Sequence, residues 1–417
     1  SIGAMPTPPR ADPPSTFTPP RPAAVGALTV RRVGWAGAAA LAAAMGIGRF
    51  AFTPLLPLMQ AEARVGLGAG ALLAAANYLG YLLGALACLR WPQHPLTAAR
   101  IGLAGVVGAT AATGAAMPFE AALLVRIIAG AASAWVLVGV SAWALPVLAA
   151  AGRSDRAGWV YAGVGAGIAG AGFIAWAAAV QRWPTPAVWV ALAVVAAAAA
   201  LPTWMADARS SAGAAGGDAG PQHRTEAAPR RVGRLVACYG ALGFGYIVPA
   251  TFLPSAARAA GADPAVYGAL WPLFGLAAAA STPLAGRLLQ RHRPRAVWSW
   301  AMALMGLGVA VQLAAPTAVA AFVCSAFAVG GSFMAATMAG LIEARRHTTD
   351  PRSAARLIAG MTAAFATGQL LGPLVVAGAV RLGHDPFTLA GALAVAALSA
   401  AAATLARGAH PAPTASR

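Results

Sequence analysis

The sequence predicts an all-α membrane protein of twelve transmembrane helices, six on each side of a polar linker. Composition is the first reason: 59% of the 417 residues are hydrophobic, only 10% are charged, and the mean hydropathy is +0.69. So little polar surface cannot cover a soluble globule of this size. Segmentation is the second, because the apolar residues fall into twelve runs of about 20, the length of helix that crosses a ~30 Å hydrocarbon core. Repetition is the third. Gly46 to Pro57 reads GIGRFAFTPLLP and Gly243 to Pro254 reads GFGYIVPATFLP, with Gly, Gly, Leu and Pro at the first, third, eleventh and twelfth places of both. The windows lie about half a chain apart, as expected of a duplicated membrane protein.

Residues 1–32 are rich in Pro and small polar residues, lack the basic-then-apolar layout of a cleaved signal, and are expected to form a disordered tail. The first half, 33–205, opens with a helix over about 33–59 that holds the first repeat window. Pro54 and Pro57 offer no N–H there, so they free backbone carbonyls and bend the helix where a gate can form. The second helix, 69–90, carries Asn77 and Tyr78 as polar groups and Gly80 and Gly84 as a close-packing pair. The third spans 98–117, and the fourth, 120–146, starts at Glu120 and contains Arg126 and Gly130. The fifth, 157–180, has glycines at 163, 165, 167, 170 and 172, a surface on which a neighbouring helix can pack closely and slide. The sixth, 185–205, closes the half.

Residues 206–232 are polar and Gly-rich, without apolar periodicity, and form the boundary between the halves. The second half, 233–407, begins with the second repeat window in a helix over 233–256, where Pro249 and Pro254 repeat the bending device. Helices over 265–287, 296–315 and 317–342 follow, the last ending beside Glu343. The eleventh, 355–380, carries Gln369 together with Gly368, Gly372 and Pro373, residues suited to bending at a gate. The twelfth, 386–407, precedes a short tail, 408–417.

All 29 basic side chains are Arg, and their distribution sets the orientation. Only Arg64, Arg182, Arg258 and Arg381 fall in gaps on one side, whereas the tails, the linker and the alternate gaps hold nearly all the others. The positive-inside rule therefore puts both termini and the linker in the cytoplasm. The net charge of +18 thus reflects membrane topology, and no nucleic-acid partner is implied. Cys88, Cys238 and Cys324 lie inside apolar runs without metal-type spacing, read as small buried hydrophobes, and call for no disulfide, metal or cofactor. Trp135, Trp143, Trp159 and Trp271 are candidates for lining a cavity but read first as interfacial or lipid-facing anchors.

Two charges remain inside helices, Arg49 and Arg126, and no Asp, Glu or His lies deep in any helix. Arg49 occupies the place that Tyr246 takes in the second window. An intramembrane charge is by default a functional group. Arg49 therefore reads as an anchor for an anionic substrate group; against this stands a structural arginine that bonds carbonyls opened by Pro54 and Pro57 or snorkels outward. Arg126 divides between a substrate contact and a gating or structural part. Tyr246, Asn77, Tyr78 and Gln369 are candidate hydrogen-bonding contacts to a substrate and equally candidates for helix-to-helix bonds.

The run GIGRFAFTPLLPLM (Gly46 to Met59), with ANYLGYLLGAL, LLVRIIAGAASAWVLV, YAGVGAGIA, GFGYIVPATFLP and TAAFATGQLLGPL in the same order along the chain, resembles the uncharacterised YbfB/YjiJ group of the major facilitator superfamily. That resemblance implies two six-helix bundles rocking around a central site, lined by the first, fourth, seventh and tenth helices, to give alternating access. It also implies a bacterial cytoplasmic membrane. Arg126 with Gly130 matches the superfamily's fourth-helix pattern. The loop after the second helix, CLRWPQHP, lacks the Asp of the usual latch, and the fifth helix lacks the Gly-Pro pair of many exchangers.

The expected function is secondary transport of a small organic solute, with an organic anion favoured by a cavity whose embedded charge is wholly positive. Protons are a candidate coupling ion, carried on the substrate's own acid or handled by Glu120 and Glu343. Besides lipid and substrate no partner is expected, and the protein should act as a monomer. The alternatives are export of neutral or amphipathic compounds or, in another class, a membrane-embedded enzyme or lipid scramblase. An enzyme should show clustered His, Asp, Glu or Ser groups near one interface, and none is visible.

Overall fold

The computed structural model describes residues 27–90, 94–153, 156–206, 229–347 and 351–407. Among these, twelve helical spans are long and apolar enough to cross a membrane. The first span is composite: α1 (Ala27–Leu41), a π-helical segment (Ala42–Arg49) and α2 (Phe52–Ala61). It is followed by α3 (Leu67–Arg90), α4 (Pro95–Thr113), α5 (Phe119–Ala150), α6 (Ala157–Gln181) and α7 (Thr185–Trp204). The second bundle of six comprises α8 (Pro229–Ala259), α9 (Pro264–Arg291), α10 (Pro294–Ala314), α11 (Val319–Arg346), α12 (Pro351–Arg381) and α13 (Pro386–Arg407). Pro at the first helical position starts α4, α9 and α10, where a missing N–H costs nothing. The first span begins at Ala27, inside the stretch expected as a tail, and α8 begins at Pro229, inside the expected linker. Residues 1–26, 91–93, 207–228 and 408–417 lie outside the described residues, and with them the rest of both tails and of the linker and part of the CLRWPQHP loop.

Glycines set how closely the helices approach. A Cβ on Gly46 would collide with the backbone of Gly167, and one on Gly163 with that of Ala38, so the first span and α6 touch main chain to main chain. The other face of α6 crosses to the second bundle, with Gly165 against Ala279 and Gly172 against Pro272 of α9. Gly170, of the same run, faces open space. Gly80 and Gly84 of α3 lie against α5, and Gly130 of α5 returns the contact at Asn77. The bundles meet along α6 with α9, α3 with α12, and α2 with α8.

The two repeat windows fold differently. In the second copy α8 runs unbroken through Pro249 and Pro254. In the first, the helix widens before it reaches the prolines. Phe50 N–H bonds Met45 O at 3.1 Å, five residues back, and Thr53 N–H bonds Phe50 O at 3.1 Å, taking the carbonyl that Pro54 cannot serve. Such π segments are uncommon and concentrate at functional sites.

Two sequence expectations are corrected. Trp143 and Trp271 are fully buried rather than interfacial, because each fills space between helices, and Trp271 stacks on Phe274 with centroids 4.7 Å apart. Trp159 is exposed, as an anchor should be. Cys238 is buried, but Cys88 is half-buried and Cys324 is exposed, since α11 turns that position out of the bundle.

Candidate functional site

The π segment ends on Arg49, which is held at 3% exposure near the meeting of the bundles. Its Nη2 donates to Oε1 of Gln369 on α12, and Gln369 Nε2 donates to the Tyr246 hydroxyl on α8. A cation, an amide and a phenol thus form one chain of hydrogen bonds across the two halves. Gln369 and Tyr246 are sealed as completely as Arg49. The guanidinium carbon lies 3.9 Å from the Tyr81 ring centroid, 5.2 Å from Tyr78 and 5.3 Å from Phe50, so ring faces supply part of the stabilisation that water would give.

Two features leave this charge under-satisfied. Arg49 Nε is buried with no hydrogen-bond partner, and among the described residues no carboxylate pairs with the guanidinium. The acceptor on Nη2 is a neutral amide oxygen, standing where an anionic oxygen would bind more strongly. Tyr246 is fixed by stacking between Phe333, at 5.4 Å and 6°, and Phe365, at 5.6 Å and 12°. Phe333 in turn stacks on Phe274, which stacks on Trp271, giving the second bundle a continuous aromatic face beside the polar chain.

Beyond Arg49, toward the end of the bundle away from the chain termini, the halves are tied by further bonds. Thr53 Oγ1 donates to Ala250 O at 2.9 Å, and the Tyr78 hydroxyl lies 2.9 Å from Thr251 Oγ1. Ala250 O is available because its helical partner four residues on is Pro254, which has no N–H. Closer to that end, Trp176 Nε1 donates to Ala265 O at 2.9 Å. Together these contacts tie the two halves to each other on that side of Arg49.

The structure separates the other candidates from this group. Asn77 Nδ2 bonds Arg126 O at 3.1 Å, a tie between α3 and α5. Arg126 is also 3% exposed, but its guanidinium carbon lies 4.8 Å from the Phe52 ring centroid, and it lines a cavity of 350 Å³ within the first bundle together with Arg64. Of the acids at the helix ends, Glu120 is exposed, and Glu343 is buried beside His347, with Nδ1 3.6 Å from Oε1. Neither touches Arg49. Among the described residues no group of three His, Cys, Asp or Glu could hold a metal ion.

Tyr81, Phe333, Phe365 and Thr251 complete the site and were not singled out from the sequence. Tyr81 had a signal: it lies three residues after Tyr78, on the same helix face. Phe333 and Phe365 had none, since aromatic residues in an apolar helix read first as core.

Comparison with known proteins agrees with this architecture. Residues 41–407 match a family described as "Uncharacterised MFS-type transporter YbfB". No curated protein matches the chain. Among solved structures, the fold resembles that of a D-xylose-proton symporter, with a TM-score of 0.67 at 11% identity over 91% of this chain and 97% of that one. It equally resembles the nucleoside transporter NupG, solved as a point mutant, with a TM-score of 0.68 at 14% identity over 91% of this chain and 100% of that one.

Proposed function

Because the chain belongs to the family of uncharacterised transporters of the major facilitator type represented by YbfB, we propose that it moves a small organic anion across the cytoplasmic membrane by alternating access, with Arg49 holding the anionic group. The observation that supports this most is the state of Arg49: buried where the two halves meet, unpaired by any described carboxylate, with Nε empty and Nη2 on a neutral amide. A substrate carboxylate can replace Gln369 on Nη2 and also take Nε, giving the guanidinium two bonds to an anionic acceptor where Nη2 now has a neutral one. Releasing Gln369 also breaks the chain of bonds between the halves, so substrate binding and loosening of the closed state become the same event.

In the orientation favoured by the arginine distribution, the end tied by Thr53, Tyr78 and Trp176 faces outward. Protons are the proposed coupling ion, as the D-xylose-proton symporter's description says of that neighbour. No described acid reaches Arg49, so the proton would travel on the substrate's own carboxyl group. Membrane-embedded chemistry or lipid scrambling finds no support in the transporter family. A second reading, transport of neutral or amphipathic compounds, is favoured by the aromatic face of Trp271, Phe274 and Phe333, which suits a flat apolar body.

Counterflow in proteoliposomes separates the readings, with lactate, succinate, benzoate, ethylamine, xylose and uridine as probes. The acids should move best, and Arg49→Ala should abolish their movement while the protein stays folded. Preferential movement of the amine or a neutral compound, or unchanged movement of acids by the variant, overturns the anion reading.

A further inference from the structure

The cavity beside Arg126 belongs to the first bundle alone. Its walls come from α2, the turn after it, α3, the end of α4, the connection that follows with Met117, and the start of α5, with no residue of the second half. At 350 Å³ it falls within the ~300–1,000 Å³ range of small-molecule sites. Arg126 lines it as a buried cation whose Nε has no hydrogen-bond partner, and Arg64 lines it as an exposed cation from the turn at the bundle end. Phe52, Met59, Met117 and Phe119 supply apolar wall. The acid nearest Arg64 in sequence, Glu62, is occupied elsewhere: its carboxylate accepts from Thr185 N at 2.8 Å and Thr185 Oγ1 at 2.6 Å, fixing the start of α7.

A buried unpaired cation is costly to hold in an apolar bundle unless an anion completes it. We propose that this cavity is a second anion site, independent of Arg49, which takes a carboxylate bearing a short apolar tail, with the carboxylate on Arg126 and the tail among Phe52, Met59, Met117 and Phe119. Because the second bundle contributes nothing, the site can fill while the bonds of Thr53 and Tyr78 to α8 stay closed. It is reached from the end that carries Arg64, the end at which the two halves are tied to each other.

The test labels a cysteine placed in the cavity. Met117→Cys, in full-length protein reconstituted in phosphatidylcholine vesicles, is reacted with anionic 2-sulfonatoethyl methanethiosulfonate or its cationic trimethylammonium counterpart. The unsubstituted chain, with its native cysteines, gives the background to subtract. A cleft lined by one sign of charge raises the encounter rate of the opposite sign by roughly tenfold or more, so the anionic reagent should react about that much faster. Arg64→Gln, an exposed change that spares the fold, should reduce the preference, and Arg126→Gln should remove it. Octanoate should protect the cysteine, and Arg49→Gln should leave that protection intact.

Equal rates for the two reagents overturn the proposal. So does octanoate protection that survives Arg126→Gln or disappears with Arg49→Gln. Protection that arises only when phosphatidylglycerol is added to the vesicles would assign the cavity to a lipid headgroup and overturn it equally.

Discussion

Arg49 and Tyr246 occupy the same place in the two repeats, and in the folded chain they hold opposite ends of one side chain, that of Gln369. Duplication placed two equivalent positions near the same axis. One is a cation and the other a hydroxyl, and an amide that accepts from the first and donates to the second joins them. Each group's contribution can be separated by substitution.

Arg49→Lys keeps the charge but loses the planar fork, so a carboxylate can no longer be held by two parallel bonds. Arg49→Ala removes both. Hydrogen bonds to charged groups contribute about 1.5–3 kcal/mol, so anion affinity should fall roughly 10- to 100-fold in Arg49→Ala and less in Arg49→Lys. Titration calorimetry on the detergent-solubilised protein reads both values.

Gln369→Glu puts a carboxylate where the amide oxygen now sits and pairs Arg49 internally. The variant should gain thermal stability and lose anion binding, since its own side chain occupies the site. A melting temperature that rises while counterflow disappears would mark this outcome; unchanged counterflow would show that substrate does not bind at Arg49.

Pro254→Ala restores an N–H four residues after Ala250 and lets α8 bond that carbonyl itself, in competition with Thr53. Thr53→Val removes the bond from the other side while keeping the volume. Each should weaken the closed end by about 1 kcal/mol, the net value of an ordinary hydrogen bond. Spin-label distances between Ala61 and Ala260 should shift toward longer separations in both variants.

Gly46→Ala and Gly170→Ala test the packing from opposite directions. The first drives a methyl into the Gly167 backbone and should cost about 1–3 kcal/mol or prevent assembly, as overpacking does. The second adds a methyl in open space and should stabilise α6 by up to about 1 kcal/mol through helix propensity. Thermal unfolding followed by circular dichroism distinguishes them.

The twelve spans were legible because a bilayer imposes length and apolarity on every crossing, and the repeat identified Arg49 and Tyr246 as counterparts. Their connection was not legible. Gln369 stands 320 residues from Arg49, and a helix apolar all round gives no periodic signal of which way it faces. The same blindness made Arg126 look like a companion of Arg49, because both are lone cations in apolar runs. Only the rotation of α5, fixed by Gly130 against Asn77, turns Arg126 toward the cavity inside the first bundle. The gate was partly readable: Pro254 announced a freed carbonyl, but that Thr53 would claim it depends on the docking of two halves.

The widened winding of Ala42–Arg49 gives the first span a reserve that its duplicate lacks. Releasing one residue by returning to ordinary helical bonding would turn everything beyond it by about 100° and push it outward along the axis by about 1.5 Å. The same spin label at Ala61, measured against one on α6, would register such a screw motion as a displacement of α2 with α1 unmoved. Arg49, at the last position of the wide segment, would swing off Gln369 without either bundle having to tilt.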